Sequence, residues 1–244
     1  MTPSEIAIAT VGLVVAGLVK GVTGVGYSTT ALPIIAIGIG FDHAMALVLL
    51  PSISSNLLVM RTAGEFRQTA HRFRPLFFSL LPGLFAGLAT LAWIDTHLAA
   101  RVLGVVIIAY ALYGLTRPAL HLPQGSERWL NLPVGLLNGF INGLTGSQIM
   151  PVVPYALSLG LSTDAVIQLT NITFTISSLV MMVGLARVGY IDASTLLVSA
   201  LGIAPALLAA AVGARLRNRL SPVEFRKAVL LFLIVLASML IAGA

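Results

Sequence analysis

Apolar residues fill long uninterrupted windows of this chain, and the charged residues gather between them. The stretches 76–94, 99–115, 165–186, 195–214 and 223–241 each approach the roughly 20 residues a helix needs to cross the hydrocarbon layer. None shows the period-two alternation of a barrel strand, so the pattern predicts transmembrane helices. Two further apolar stretches, 6–41 and 130–160, differ from these because glycine, hydroxyl and amide residues interrupt them.

Loop charge orders the spans. The most basic connections are 61–74, with Arg61, Arg67, Arg72 and Arg74, and 215–227, with Arg215, Arg217, Arg219, Arg226 and Lys227. Both are expected on the cytoplasmic side. Counting crossings outward from them puts 117–128 and the turn 160–164 on that side as well. Residues 130–160 therefore begin and end on one side, and 31 residues are too few for two spans of roughly 20 plus a turn. By the same count Glu5 and Asp42 both lie outside, with 6–41 between them. Each of these stretches is predicted to be a hairpin of short helices.

The two stretches also resemble each other. Gly17-Leu18-Val19-Lys20-Gly21-Val22-Thr23-Gly24 aligns with Gly139-Phe140-Ile141-Asn142-Gly143-Leu144-Thr145-Gly146, sharing Gly17/Gly139, Gly21/Gly143, Thr23/Thr145 and Gly24/Gly146. After a one-residue slip the register continues through Pro33/Pro154, Ala44/Ala165 and Leu58-Val59-Met60 against Leu179-Val180-Met181. The expected fold is an all-α integral membrane protein built as an inverted repeat. Each half is a broken helical hairpin followed by three transmembrane helices: 1–117 the first repeat, 118–129 a cytoplasmic linker, 130–244 the second. Secondary transporters with this plan bind substrate near the midplane on broken helices. The pairs Gly83/Gly87 and Gly135/Gly139 read instead as small-residue contact faces between helices.

Composition agrees with a membrane protein. Hydrophobic residues make up 58% of the chain and charged residues 9%, against about 25% charged in a soluble domain. The net charge of +6 sits in short loops, which argues for membrane orientation and against nucleic acid. No cysteine is present, so the chain holds no disulfide or thiolate-bound metal. The N-terminus lacks the positive region of a signal peptide, so the first apolar stretch is expected in the mature protein.

Gly21-Val22-Thr23-Gly24-Val25-Gly26 with Pro33, echoed by Gly143-Leu144-Thr145-Gly146 with Pro154, resembles the TauE/SafE family of sulfite exporters, also called toluene-sulfonate uptake permeases. The resemblance covers essentially the whole chain. It implies a carrier in the bacterial inner membrane for small sulfur-containing or organic anions such as sulfite and sulfonates. Tyr27-Ser28 and Ser147-Gln148 stand where that family often carries further glycines.

Lys20 is the candidate anion ligand, because a charged residue within an apolar stretch costs roughly 3 kcal/mol and usually faces a cavity. Uncharged donors suited to sulfonate or carboxylate oxygens come from Thr23, Asn56, Asn142, Thr145, Ser147, Gln148 and Asn171. Backbone N–H groups beside Gly21, Gly24, Gly143 and Gly146 add to them. The carboxylates all lie near span ends. Asp42 and Asp164 read as helix N-caps, which leaves no buried carboxylate relay. The histidines are scattered, and neither H-E-x-x-H, G-x-S-x-G nor a P-loop occurs. The reading is a non-enzymatic secondary transporter, with a passive anion channel as the alternative. It needs a lipid bilayer and a small anionic substrate, no cofactor, metal or nucleic acid, with both termini outside and room for a homodimer.

Overall fold

The structure is a computed structural model that describes residues 1–116, 121–123, 125–216 and 221–243. Most of the expected linker is described, but residues 118–120 and 124 lie outside that set, as do Arg117, Arg217 and Arg219 of the basic connections. Every regular element among the described residues is a helix.

In the first half, α1 (Pro3–Thr23) and α2 (Tyr27–Ile39) precede α3 (Phe41–Thr62), the short α4 (Phe66–Arg72), α5 (Arg74–Leu91) and α6 (Thr96–Thr116). In the second, α7 (Glu127–Thr145) and α8 (Val152–Ser158) precede α9 (Thr163–Val188). Then come α10 (Ala193–Leu201), α11 (Ile203–Leu216) and α12 (Pro222–Gly243). Seven segments are long and apolar enough to cross a bilayer, α10 and α11 counting as one 24-residue span. The five expected spans fall on α5, α6, α9, α10–α11 and α12.

Local chemistry sets the hairpins. Thr2 and Glu5 form a reciprocal capping box ahead of Pro3, and α1 ends on Gly24 in the left-handed region at φ 82°, a conformation that costs glycine little. The chain turns at Gly26, φ 87°, and α2 runs back antiparallel. An added Cβ on Gly12 would sit 2.7 Å from Ile35 Cγ1, and one on Gly38 would sit 2.5 Å from Ile8 Cγ2. The second hairpin repeats this, with α7 ending on left-handed Gly146. There Tyr155 Oη donates to Asn131 Oδ1 at 2.9 Å, and Val152 N to Asn138 Oδ1 at 3.1 Å.

The arms are unequal, which corrects the expectation of uniformly short helices. The first arms have 21 and 19 residues, the second 13 and 7. A loop-length argument sees that a stretch is too short for two spans, not how its residues divide.

The halves interlock reciprocally. Helix α7 packs on α5 of the first half, and α1 packs on α11 of the second. Both contacts run parallel and rest on small residues. A Cβ on Gly83 would strike the carbonyl of Leu136, and those on Gly139 and Gly143 would strike the carbonyls of Leu80 and Leu84. On the other side, Gly17 and Gly21 meet the carbonyls of Ala206 and Ala210. Helices α3 and α9 cross antiparallel, as do α6 and α12: Gln168 donates to the carbonyls of Met60 and Ala63, while Gly104 abuts Ile241 and Gly114 abuts Leu230. Two pairs of corresponding helices, α3 with α9 and α6 with α12, thus run in opposite directions.

One end of the bundle collects the basic loops. Arg72 bridges to Glu127 at 2.6 Å, Ser162 donates to Glu65 at 2.7 Å, and Gly64 N donates to Asp164 at 3.2 Å. Gly40, Asp42, Thr96, His97 and Gly243 gather at the other end. Asp42 and Asp164 are not N-caps, contrary to the sequence reading. Ser162 caps α9, and α3 begins at Gly40 without a side-chain cap. Asp164 has been drawn across to Gly64, and Asp42 pairs with His43. Tryptophan marks both ends: Trp93 follows α5 and Trp129 opens α7, 91% and 83% exposed, as rings at membrane–water interfaces are.

Cysteine-accessibility labelling tests sidedness. Cysteines at Ser4 and Asp95 are expected to react from outside, and one at Arg67 only from the cytoplasm. Reaction of Ser4→Cys from the cytoplasm alone would reverse the count.

Candidate functional site

The two hairpin tips meet. Gly26, Tyr27, Ser28 and Thr29 from the first tip and Gln148 and Ile149 from the second line one small cavity with Ser52 and Asn56 of α3 and Phe174 of α9. It lies near the middle of those two long helices. At about 10 Å³ it has room for one water molecule.

Lys20 lies one turn before the first tip and is 2% exposed. Its ammonium turns to α3, donating to Ser55 Oγ at 3.1 Å and to Asn56 Oδ1. Ser55 passes its own proton to the carbonyl of Ser52 at 2.9 Å, so its lone pairs face the lysine. An ammonium has three N–H groups, and two acceptors are in place. No carboxylate pairs with Lys20 among the described residues. Because lysine only donates, Asn56 must present its oxygen to it. The Asn56 Nδ2 is left buried without a partner.

The second tip is equally polar and less satisfied. Both amide atoms of Asn142 and the hydroxyls of Ser147 and Ser177 are buried without partners. Gln148 donates to Ser178 Oγ at 2.7 Å and toward the Phe174 carbonyl at 3.4 Å. Buried polar groups are ordinarily hydrogen-bonded, so such a concentration of unmet donors needs a reason.

The other predicted residues divide by what they touch. Thr23 spends its hydroxyl on the carbonyls of Val19 and Val25, and Thr145 spends its own on Ile141 while accepting from Ser147 N. Both shape the turns. Gly24 and Gly146 are the left-handed caps. Gly21 and Gly143 lie against α11 and α5, where they let backbones approach. Asn171 Nδ2 donates to the Ile167 carbonyl of its own helix, leaving Oδ1 unpartnered. Lys20, Asn56 and Gln148 are thus brought to the meeting of the tips, whereas Asn171 lines none of the described cavities.

Tyr27 and Phe174 also line the central cavity, and the sequence reading made neither a site candidate. Tyr27 directly follows the first motif, and its buried hydroxyl has no partner, so proximity to the motif was the available signal. A much larger cavity, about 500 Å³, reaches the first tip from the basic-loop end. Thr23, Gly24, Val25 and Gly26 form its floor, Val153, Val166, Tyr110 and Leu233 stand in its walls, and Thr163 and Arg226 lie at its mouth.

A family model described as sulfite exporter TauE/SafE matches residues 8–240. None of the curated proteins or solved structures compared with the chain matches it.

Proposed function

The chain belongs to the TauE/SafE family of sulfite exporters, and we propose that it is an inner-membrane carrier of small sulfur-containing or organic monoanions, binding them where its two hairpin tips meet. One observation carries this reading. A buried lysine with no carboxylate partner among the described residues has an N–H to spare, beside an asparagine amide that also lacks an acceptor there. A bound oxyanion supplies the countercharge and the acceptors together, and charge-assisted bonds of this kind are about twice as strong as neutral ones. Asn142 and Ser147 supply further donors from the second tip. In this reading the halves 1–117 and 130–244 are an inverted repeat, so the site has a cation on one side only: Asn142 stands where the first half has Lys20.

Carrier and channel differ in trans-stimulation. In proteoliposomes, unlabelled sulfite or sulfonate on the far side is expected to accelerate efflux of the labelled anion severalfold. A flux indifferent to the far side would favour the channel.

A further inference from the structure

The two hairpin tips correspond in sequence, yet their surroundings differ. Gly24 faces the 500 Å³ cavity together with Val153 and Val166. Gly146, its counterpart, is covered: an added Cβ would lie 3.2 Å from Leu32 Cδ1 and 3.4 Å from Met45 Cγ. In the repeat register Leu32 corresponds to Val153 and Met45 to Val166, since Pro33 pairs with Pro154 and Ala44 with Ala165. The same pair of positions thus carries valines beside the open tip and the longer leucine and methionine over the closed one. Leu32 and Met45 are 1% and 2% exposed. The cavity at the Asp42 end is correspondingly shallow, about 240 Å³, bounded by Ala36, Phe41, Ala100 and Leu240, and it stops short of residues 145–148.

We propose that Leu32 and Met45 form the gate that seals the anion site from the Asp42 end, in a carrier whose cavity opens toward its basic-loop end. The proposal rests on the reading that the tips hold the anion. An anion leaving toward the Asp42 end must pass the second tip, and these two side chains stand over it. Methionine suits a moving seal, being unbranched and able to repack in irregular space. A pore open at both ends would need no such cover. In the reciprocal state the cavity beside Val153 and Val166 closes as the cover over Gly146 withdraws, so one path is open at a time.

The absence of cysteine makes the test direct. Single cysteines are placed at Val153 and Ser147 in proteoliposomes of defined orientation and exposed to a membrane-impermeant, trimethylammonium-bearing methanethiosulfonate reagent without substrate. Val153→Cys is expected to react readily from the basic-loop face, and Ser147→Cys to resist reaction from the Asp42 face. Replacing Leu32 and Met45 by alanine should raise the Ser147→Cys rate from the Asp42 face about tenfold by shifting the population toward the uncovered state. Valine at both positions, copying the first tip, is the milder variant should the alanines unfold the protein. Fast reaction of Ser147→Cys with the gate intact, or no acceleration in the valine variant, overturns the proposal. Labelling is read without anion, so failure of the gate and failure of the anion site are separate results: the second is read from affinity in a Lys20 variant whose gate is untouched.

Discussion

Lys20→Gln is expected to weaken binding of a simple sulfonate such as methanesulfonate by about a hundredfold, or roughly 3 kcal/mol, while the protein still folds. The sign of each effect follows from burial. Removing the ammonium removes the strongest bond to the anion, and it also relieves the apo protein of an unpaired buried charge. Glutamine keeps a donor for Ser55 or Asn56, so the α1–α3 contact survives. Lys20→Arg is expected to bind poorly as well, because the planar guanidinium is wider and needs acceptors in a fork, whereas the site is tight against α3. Calorimetry on protein with an unchanged melting temperature is the measurement. Unchanged affinity would place the anion elsewhere. The ammonium turns inward to Ser55 and Asn56 rather than reaching for a membrane interface.

Gly139→Leu is expected to be among the most damaging substitutions in the chain, costing about 3 kcal/mol or more. Its first added carbon would land on the Leu80 carbonyl, with the Leu84 nitrogen 2.8 Å away, so the obstacle is backbone rather than a side chain able to swing aside. Helices in lipid gain little from hydrophobic burial against one another and rely on close packing. Displacing α7 from α5 would therefore loosen one of the contacts that join the two halves. Gly160→Ala is the control. Its φ is 63° but nothing lies within 4 Å, so only the left-handed backbone penalty of about 1 kcal/mol applies. Melting in detergent should separate the two clearly, and similar losses for both would mean the α5–α7 contact is not what holds the bundle.

The spans, both hairpins and their turning points were legible in the sequence because hydropathy and glycine-bearing turns are local signals. Which way a glycine faces is not local. Gly21 and Gly24 belong to one motif, yet Gly21 lies against the Ala210 carbonyl while Gly24 caps a helix at the edge of a cavity. The caps failed for a related reason: Asp164 sat where a cap was expected, but a backbone N–H one hundred residues away captured it. The candidate site was half legible. Lys20, Asn56 and Gln148 stood out as polar residues in apolar stretches, but their convergence with Tyr27 and Phe174 depends on how α3 crosses α9. The unequal hairpin arms and the covering of Gly146 by Leu32 and Met45 are likewise tertiary facts.

The positions of Trp93 and Trp129 have a mechanical consequence. Helices α5 and α7 run side by side in the same direction, and a Cβ on Gly139 would fall between the Leu80 carbonyl and the Leu84 nitrogen, so Gly139 is level with Pro82. Ten rises along α7 from Trp129 to Gly139 and nine along α5 from Pro82 to Leu91, just before Trp93, add up to about 28 Å, close to the roughly 30 Å thickness of a hydrocarbon core. The rings therefore act as two fixed floats on the most tightly joined pair of helices. A bilayer of a different thickness cannot stretch that pair and must tilt it or deform around it, at a fraction of a kcal/mol per Å of mismatch. Acyl-chain length then becomes a mechanical input to the whole bundle, delivered through one of the contacts that tie its two halves together.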